Sequence, residues 1–165
     1  MLFAKKNNPG TFDSLSPILP SRFANERLLG SGKYTIGELE ALMANIDKAK
    51  DRILFLKCLA DSYIYHFINS PEYDNAKDYI ELVKRAMPTI EKALSYYYEA
   101  SELGSNECLY EHGKGLSVFY RPFDNDKFVT GVIELCQSYV RGCEKARDTL
   151  QQLVDDQVFK NCNSV

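Results

Sequence analysis

Few side chains in this sequence have the type and spacing to do chemistry, and the two histidines come first. A di-metal carboxylate bundle needs paired Glu-x-x-His motifs. Tyr63 stands three residues before His66 and Leu109 three before His112, so neither histidine completes one. No cysteine–histidine spacing matches a zinc site. His66 reads as a helix-surface or hydrogen-bonded histidine, whereas His112, next to Gly113, can line a groove. Cys108 and His112 sit one helical turn apart, the spacing of a nucleophile and a base. An accidental pairing is the reading, because catalysis would need an orienting group as well and Cys108 occupies the place of a small packing residue. Gly30-Ser31-Gly32-Lys33 invites comparison with a phosphate loop, which needs a glycine five residues before Gly-Lys, a Ser/Thr after the lysine and a preceding strand. Here Arg27 takes the first place, Tyr34 follows the lysine and no strand precedes. The segment reads as a turn. Catalytic, cofactor-binding and metal-binding residues are all expected to be absent, and the chain is read as a non-enzyme.

Tyrosine is the abundant functional side chain, with eleven copies and no tryptophan. Tyr96, Tyr97 and Tyr98 follow one another in a helical stretch. Consecutive helical side chains diverge by about 100°, so one core cannot absorb all three. Tyr97 continues a stripe from Ile90 and Leu94, which leaves Tyr98 as the expected exposed member. Exposed tyrosine suits protein interfaces because it is large, stiff and amphipathic. Tyr96, Tyr98, Tyr110, His112 and Tyr120 are the candidate partner-binding residues, grouped around a turn at Gly104.

Long helices must position these residues. Leu39, Leu42, Ile46, Ala49, Ile53, Leu56, Ala60, Tyr63 and Phe67 alternate in steps of three and four. That is the apolar seam of a helix. Thr35 and Glu38 form a capping box at its start, and Asn69-Ser70-Pro71 stops it. A second seam, Val132, Cys136, Tyr139, Cys143, Ala146, Leu150 and Leu153, predicts another long helix over about 126–159. The two seams are expected to pack on each other. Between them, Asp74 is a candidate N-cap and Pro88 should end or kink the helix that follows. Gly104 is a candidate C-cap and Ser105 the next N-cap; Gly113 and Gly115 suggest close approach by a neighbouring helix. The whole reads as all-α: a compact bundle of four to five helices, two of them long (about 35–69 and 126–159). Residues 1–34 form a partly irregular arm, 35–160 a single helical domain and 161–165 a frayed tail.

The stretch from Lys92 to Gly113 resembles the helix–turn–helix unit of SEL-like repeats, relatives of the tetratricopeptide repeat. Lys92, Ala93, Tyr96, Tyr97, Ala100, Gly104, Tyr110 and Gly113 fill the places of that pattern without a gap. The match covers about 22 residues, and no second unit follows at the period a stacked array needs. The resemblance implies a protein-binding scaffold without catalysis.

Composition narrows the class of function further. The net charge is −3, with 20 basic and 23 acidic residues well mixed. No basic stripe points to nucleic acid. No run of about 18 apolar residues suggests a membrane span, and the N-terminus lacks the apolar core of a signal peptide. A cytoplasmic location is expected, although non-classical export would leave no readable mark. Cys136 and Cys143, seven residues apart on one helix, are separated by about 10 Å. That exceeds disulfide reach, and both read as reduced core cysteines. The expected function is a protein–protein interaction module that binds a partner segment in a helical groove: an adaptor, a secretion-chaperone-like helper or a regulatory subunit. The alternative is a self-assembling structural bundle, a homodimer whose seams are partly intermolecular. A small-ligand-binding or enzymatic helical domain is the third option.

Overall fold

Side-chain oxygens at helix starts set the boundaries of this protein. A computed structural model describes Glu40, residues 49–68 and residues 70–162. Those residues form six helices and no strand: α1 (Ala49–Ile68), α2 (Pro71–Asp74), α3 (Tyr79–Glu102), α4 (Asn106–Phe119), α5 (Asn125–Val140) and α6 (Glu144–Cys162). The chain is all-α. By their contacts the residues fall into two compact units, one running to Gly104 and one from Ser105. The arm over residues 1–34, the Thr35 capping box and the seam residues Leu39, Leu42 and Ile46 lie outside the described residues.

In the first unit α1 packs along α3. It ends before Asn69-Ser70-Pro71, as the sequence predicts. Ser70 then caps α2, its hydroxyl accepting from the Tyr73 N–H at 3.2 Å. The cap of α3 is Asp78, not Asp74: its Oδ1 accepts from the backbone N–H groups of Ile80 (2.9 Å) and Glu81 (3.2 Å). Pro88 does not end α3, which runs unbroken from Tyr79 to Glu102. Pro88 lies on the exposed side of the helix, where its ring meets solvent and not the packed face. Of the predicted seam, Leu56, Ala60 and Phe67 are buried, Ile53 and Tyr63 half-buried and Ala49 exposed. Phe55, Cys58, Leu59, Ile64 and Ile68 are buried as well, so α1 is covered on more than one side.

The second unit is built on a crossing of α4 and α5 at two glycines. A Cβ on Gly131 would lie 2.6 Å from both the Gly113 carbonyl oxygen and the Ser117 backbone nitrogen. Backbone therefore meets backbone, the close approach that Gly113 announces in the sequence. The predicted helix over 126–159 is two helices. Gly142 sits between them at φ +96°, a conformation that side chains with a Cβ disfavour. The Cys143 N–H bonds the Ser138 carbonyl (3.0 Å) and the Gly142 N–H bonds the Tyr139 carbonyl (2.8 Å). That pair of bonds is a Schellman stop. Asn106 completes it from α4, its Nδ2 donating to the carbonyls of Ser138 (3.1 Å) and Arg141 (3.3 Å). The break and the glycine crossing change the second seam. Tyr110, Leu135, Ala146 and Leu153 form the core, with Phe128, Val132, Cys143 and Leu150 packed against it. Cys136 and Tyr139 are exposed, and Leu135 and Ser138 take the inward positions instead. Cys136 is thus a free surface cysteine, not a core one. Each seam finds cover within its own unit: α1 from α3, and α5 from α4 and α6. The tail expected to fray at 161 is still helical at Cys162.

Candidate functional site

The tyrosine run divides as the 100° rule requires. Tyr96 and Tyr97 are buried (5% and 2% exposed), and Tyr98 is 48% exposed. Both buried phenols aim at carboxylates. Tyr97 donates to Asp61 Oδ1 at 2.5 Å, and Asp61 also accepts from Lys57 Nζ at 3.0 Å. Tyr96 and Tyr63 both donate to Glu40 Oε1, at 2.5 and 3.0 Å. Lys92 Nζ lies 3.5 Å from the same oxygen and 5.1 Å from the centre of the Tyr96 ring. Nearby, Arg52 clasps Glu99 Oε1 through Nε (3.0 Å) and Nη2 (2.5 Å). These groups tie α1, α3 and Glu40 together.

The Tyr96 hydroxyl, followed by that of Tyr63 and by Lys92, holds the Glu40 carboxyl below its ordinary value against the opposing effect of burial. Burial and the Glu40 carboxylate push the Tyr63 phenol up to about 12 and raise that of Tyr96 as well. Burial and the neighbouring Tyr73 raise Tyr79 to about 12. A raised phenol binds its proton more tightly in the folded chain, so its stabilising effect is complete below pH 10 and fades as pH climbs toward 12. A lowered carboxyl acts in the opposite sense, and the Glu40 effect fades as pH falls below the ordinary glutamate value of 4.5. The melting temperature should therefore decline between pH 10 and 12, with part of the tyrosine absorbance titrating late. Tyr63→Phe should remove part of the late absorbance step. If every tyrosine ionises near pH 10 while the protein is still folded, the buried network is wrong.

In the second unit the phenol of Tyr110 is buried and 3.2 Å from Thr149 Oγ1, and burial raises its pKa. Tyr120 is buried, with Lys127 Nζ 4.1 Å from its ring centre and Phe123 against it. His112 Nδ1 donates to Glu134 Oε2 at 2.6 Å, beside the glycine crossing, and both side chains are 12% exposed. Cys108 is fully buried one turn before it. Of the five candidate partner-binding residues, Tyr98 presents substantial surface. Tyr96, Tyr110 and Tyr120 are packing residues, because their rings fill the interior and their polar ends or faces are already engaged. The first two candidates belong to the first unit and Tyr110, His112 and Tyr120 to the second. The side chain of His66 lies outside the description.

Two surface features escaped the reading of the sequence. One is an open cavity of about 340 Å³ in the first unit, with Phe67, Leu82 and Ala86 as apolar lining and Ser70, Glu72 and Arg85 among its polar groups. The other is the outer face of α5, where Val129, Ile133 and Val140 are 44%, 52% and 85% exposed and Cys136 is exposed between them. At 3.6 residues per turn these four lie within about 60° of one another, on the side opposite Gly131, Leu135 and Ser138. The spacing signal was present in the sequence. Gly131 was the residue that could have oriented it, because a glycine inside a helix marks the side where another backbone comes close.

No protein-family model, curated protein or solved structure matches the chain. Among the described residues, no helix is long and apolar enough to cross a membrane.

Proposed function

We propose that the chain is a protein-interaction module and that α5 is its binding element. One observation carries this reading: a helix whose buried face is fully used by α4 and α6 also displays an apolar stripe on its opposite face. A helix facing only water would carry polar residues there. Such a stripe, with anchors at i, i+4, i+7 and i+11, suits an amphipathic helix of a partner. The resemblance of residues 92–113 to a protein-binding repeat supports the same class of function. The polar clusters of both units support it too, since their groups tie helices together and do not converge on an open cleft.

Ile133→Arg tests the reading. Its side chain is about half exposed, so the melting temperature should shift by no more than an ordinary surface substitution allows, about 0.5 kcal/mol in stability. Association should be lost, whether it is measured with the purified chain alone or with a purified partner from the native host. Undiminished association by a folded Ile133→Arg protein removes α5 from the interface.

A further inference from the structure

We infer that the partner of the α5 stripe is a second copy of this chain, paired antiparallel through a two-fold axis between Ile133 and Cys136. The inference rests on the reading of α5 as a binding element and names what it binds. The stripe is Val129, Ile133, Cys136 and Val140, with steps of four, three and four. That order of steps is the same in both directions. An isologous interface requires such self-complementarity, because each residue i that meets j must also be met by j. Antiparallel pairing about the midpoint sets Val129 opposite Val140 of the second copy and Ile133 opposite its Cys136.

The borders of the stripe obey the same symmetry. Asp126, Thr130, Gln137 and Arg141, all exposed, follow one border of the stripe. A two-fold axis perpendicular to the paired helices keeps this border on the same side in both copies. Asp126 then comes within two residues of the level of Arg141 of the second copy, a displacement of about 3 Å that an arginine spans easily. Thr130 meets Gln137 of the second copy at the same offset. On the other border, half-buried Val132 meets exposed Tyr139 of the second copy. Acid therefore meets base at both ends, polar meets polar, and an aliphatic side chain meets an aromatic ring. Parallel pairing, about an axis along the helices, would carry this border to the opposite side in the second copy, so Asp126 and Arg141 would lose each other and the polar border would face Val132 and Tyr139.

Sedimentation equilibrium of the full chain should give a monomer–dimer equilibrium that Ile133→Arg and, separately, Val140→Asp convert to monomer without loss of fold. Asp126→Arg and Arg141→Asp should each weaken the dimer by about threefold to tenfold, and the double reversal should recover most of the loss. In a Cys143→Ser, Cys162→Ser background, a short bis-maleimide should join Cys136 to Cys136. The paired helix axes would be about 8–10 Å apart, which brings the two Cys136 side chains within reach of such a reagent. A dimer that Ile133→Arg abolishes, but in which the double reversal recovers nothing of what Asp126→Arg and Arg141→Asp lose singly, overturns the antiparallel arrangement. A chain that stays monomeric up to several hundred micromolar overturns the second copy as partner. In that case loss of a different partner's binding in Ile133→Arg would still uphold α5 as the binding element. A dimer that persists in both Ile133→Arg and Val140→Asp overturns the inference and the reading beneath it.

Discussion

Gly131→Val should unfold the second unit or come close to it. The first added carbon would stand 2.6 Å from two backbone atoms of α4 and 2.8 Å from Leu116 Cβ. None of these is the end of a flexible side chain that could swing away. The two helices would have to separate, and separation loosens the cover over Leu135, which is fully buried. Overpacking alone costs about 1–3 kcal/mol and sometimes more. Here the lost hydrophobic contacts add to it. A valine also loses rotamer freedom in a helix, although it is a better helix former than the glycine it replaces. Urea denaturation with a probe in α4 or α6 would report the change. Val129→Ala, on the exposed face of the same helix, provides the comparison and should stay within about 0.5 kcal/mol of wild type. Equal stability of the two variants would mean that α4 and α5 do not cross at these glycines.

That contrast between neighbouring positions shows what the sequence could and could not disclose. Three-and-four spacing identified α5 as a helix with apolar residues, and Ser105, Gly104 and Gly113 were legible because each has a local reason to be where it is. Spacing alone could not choose a face. Val129, Ile133, Cys136 and Val140 form one run of three-and-four steps, Val132, Cys136 and Tyr139 another, and Gly131, Leu135 and Ser138 a third. The third face is the buried one, and its least hydrophobic members are the reason: a glycine and a serine permit contact that bulk would prevent. A count of apolar side chains passes over such a face. The break at Gly142 was missed for a related reason. The apolar residues keep their rhythm across it, while the chain turns on backbone bonds that involve no apolar side chain. The polar ends of the tyrosines were the least legible part. Tyr97 was legible as core and Tyr98 as exposed, but Tyr96 and Tyr110 were grouped with the surface, whereas all three buried phenols carry their hydroxyls inward to partners that only the three-dimensional fold supplies: Tyr96 to Glu40, Tyr97 to Asp61 and Tyr110 to Thr149.

The first helix gives the sharpest numerical test of the same distinction, at Phe55. The three-and-four seam runs through Leu56 and leaves Phe55 about 100° to one side. A helix buried only along that seam would hold Phe55 at its border, and truncation there would matter little. The structure buries Phe55 to 1% exposure, together with Cys58, Leu59 and Ser62 on the same side of α1 and Leu56, Ala60 and Ile64 on the other. Phe55→Ala should then cost about 3–5 kcal/mol, and Leu56→Ala about 2–5 kcal/mol. Total stabilities of small domains are of order 5–15 kcal/mol. Either loss is a large fraction of that, and Phe55→Ala in particular should lower the melting temperature by many degrees. Ile53→Ala supplies the internal reference: Ile53 is in the seam but half-buried, so its truncation should cost clearly less than that of Phe55. The order expected is Phe55 at or above Leu56, and both above Ile53. The reverse order, with Ile53 large and Phe55 near zero, would restore the single-seam helix and remove the second buried side of α1.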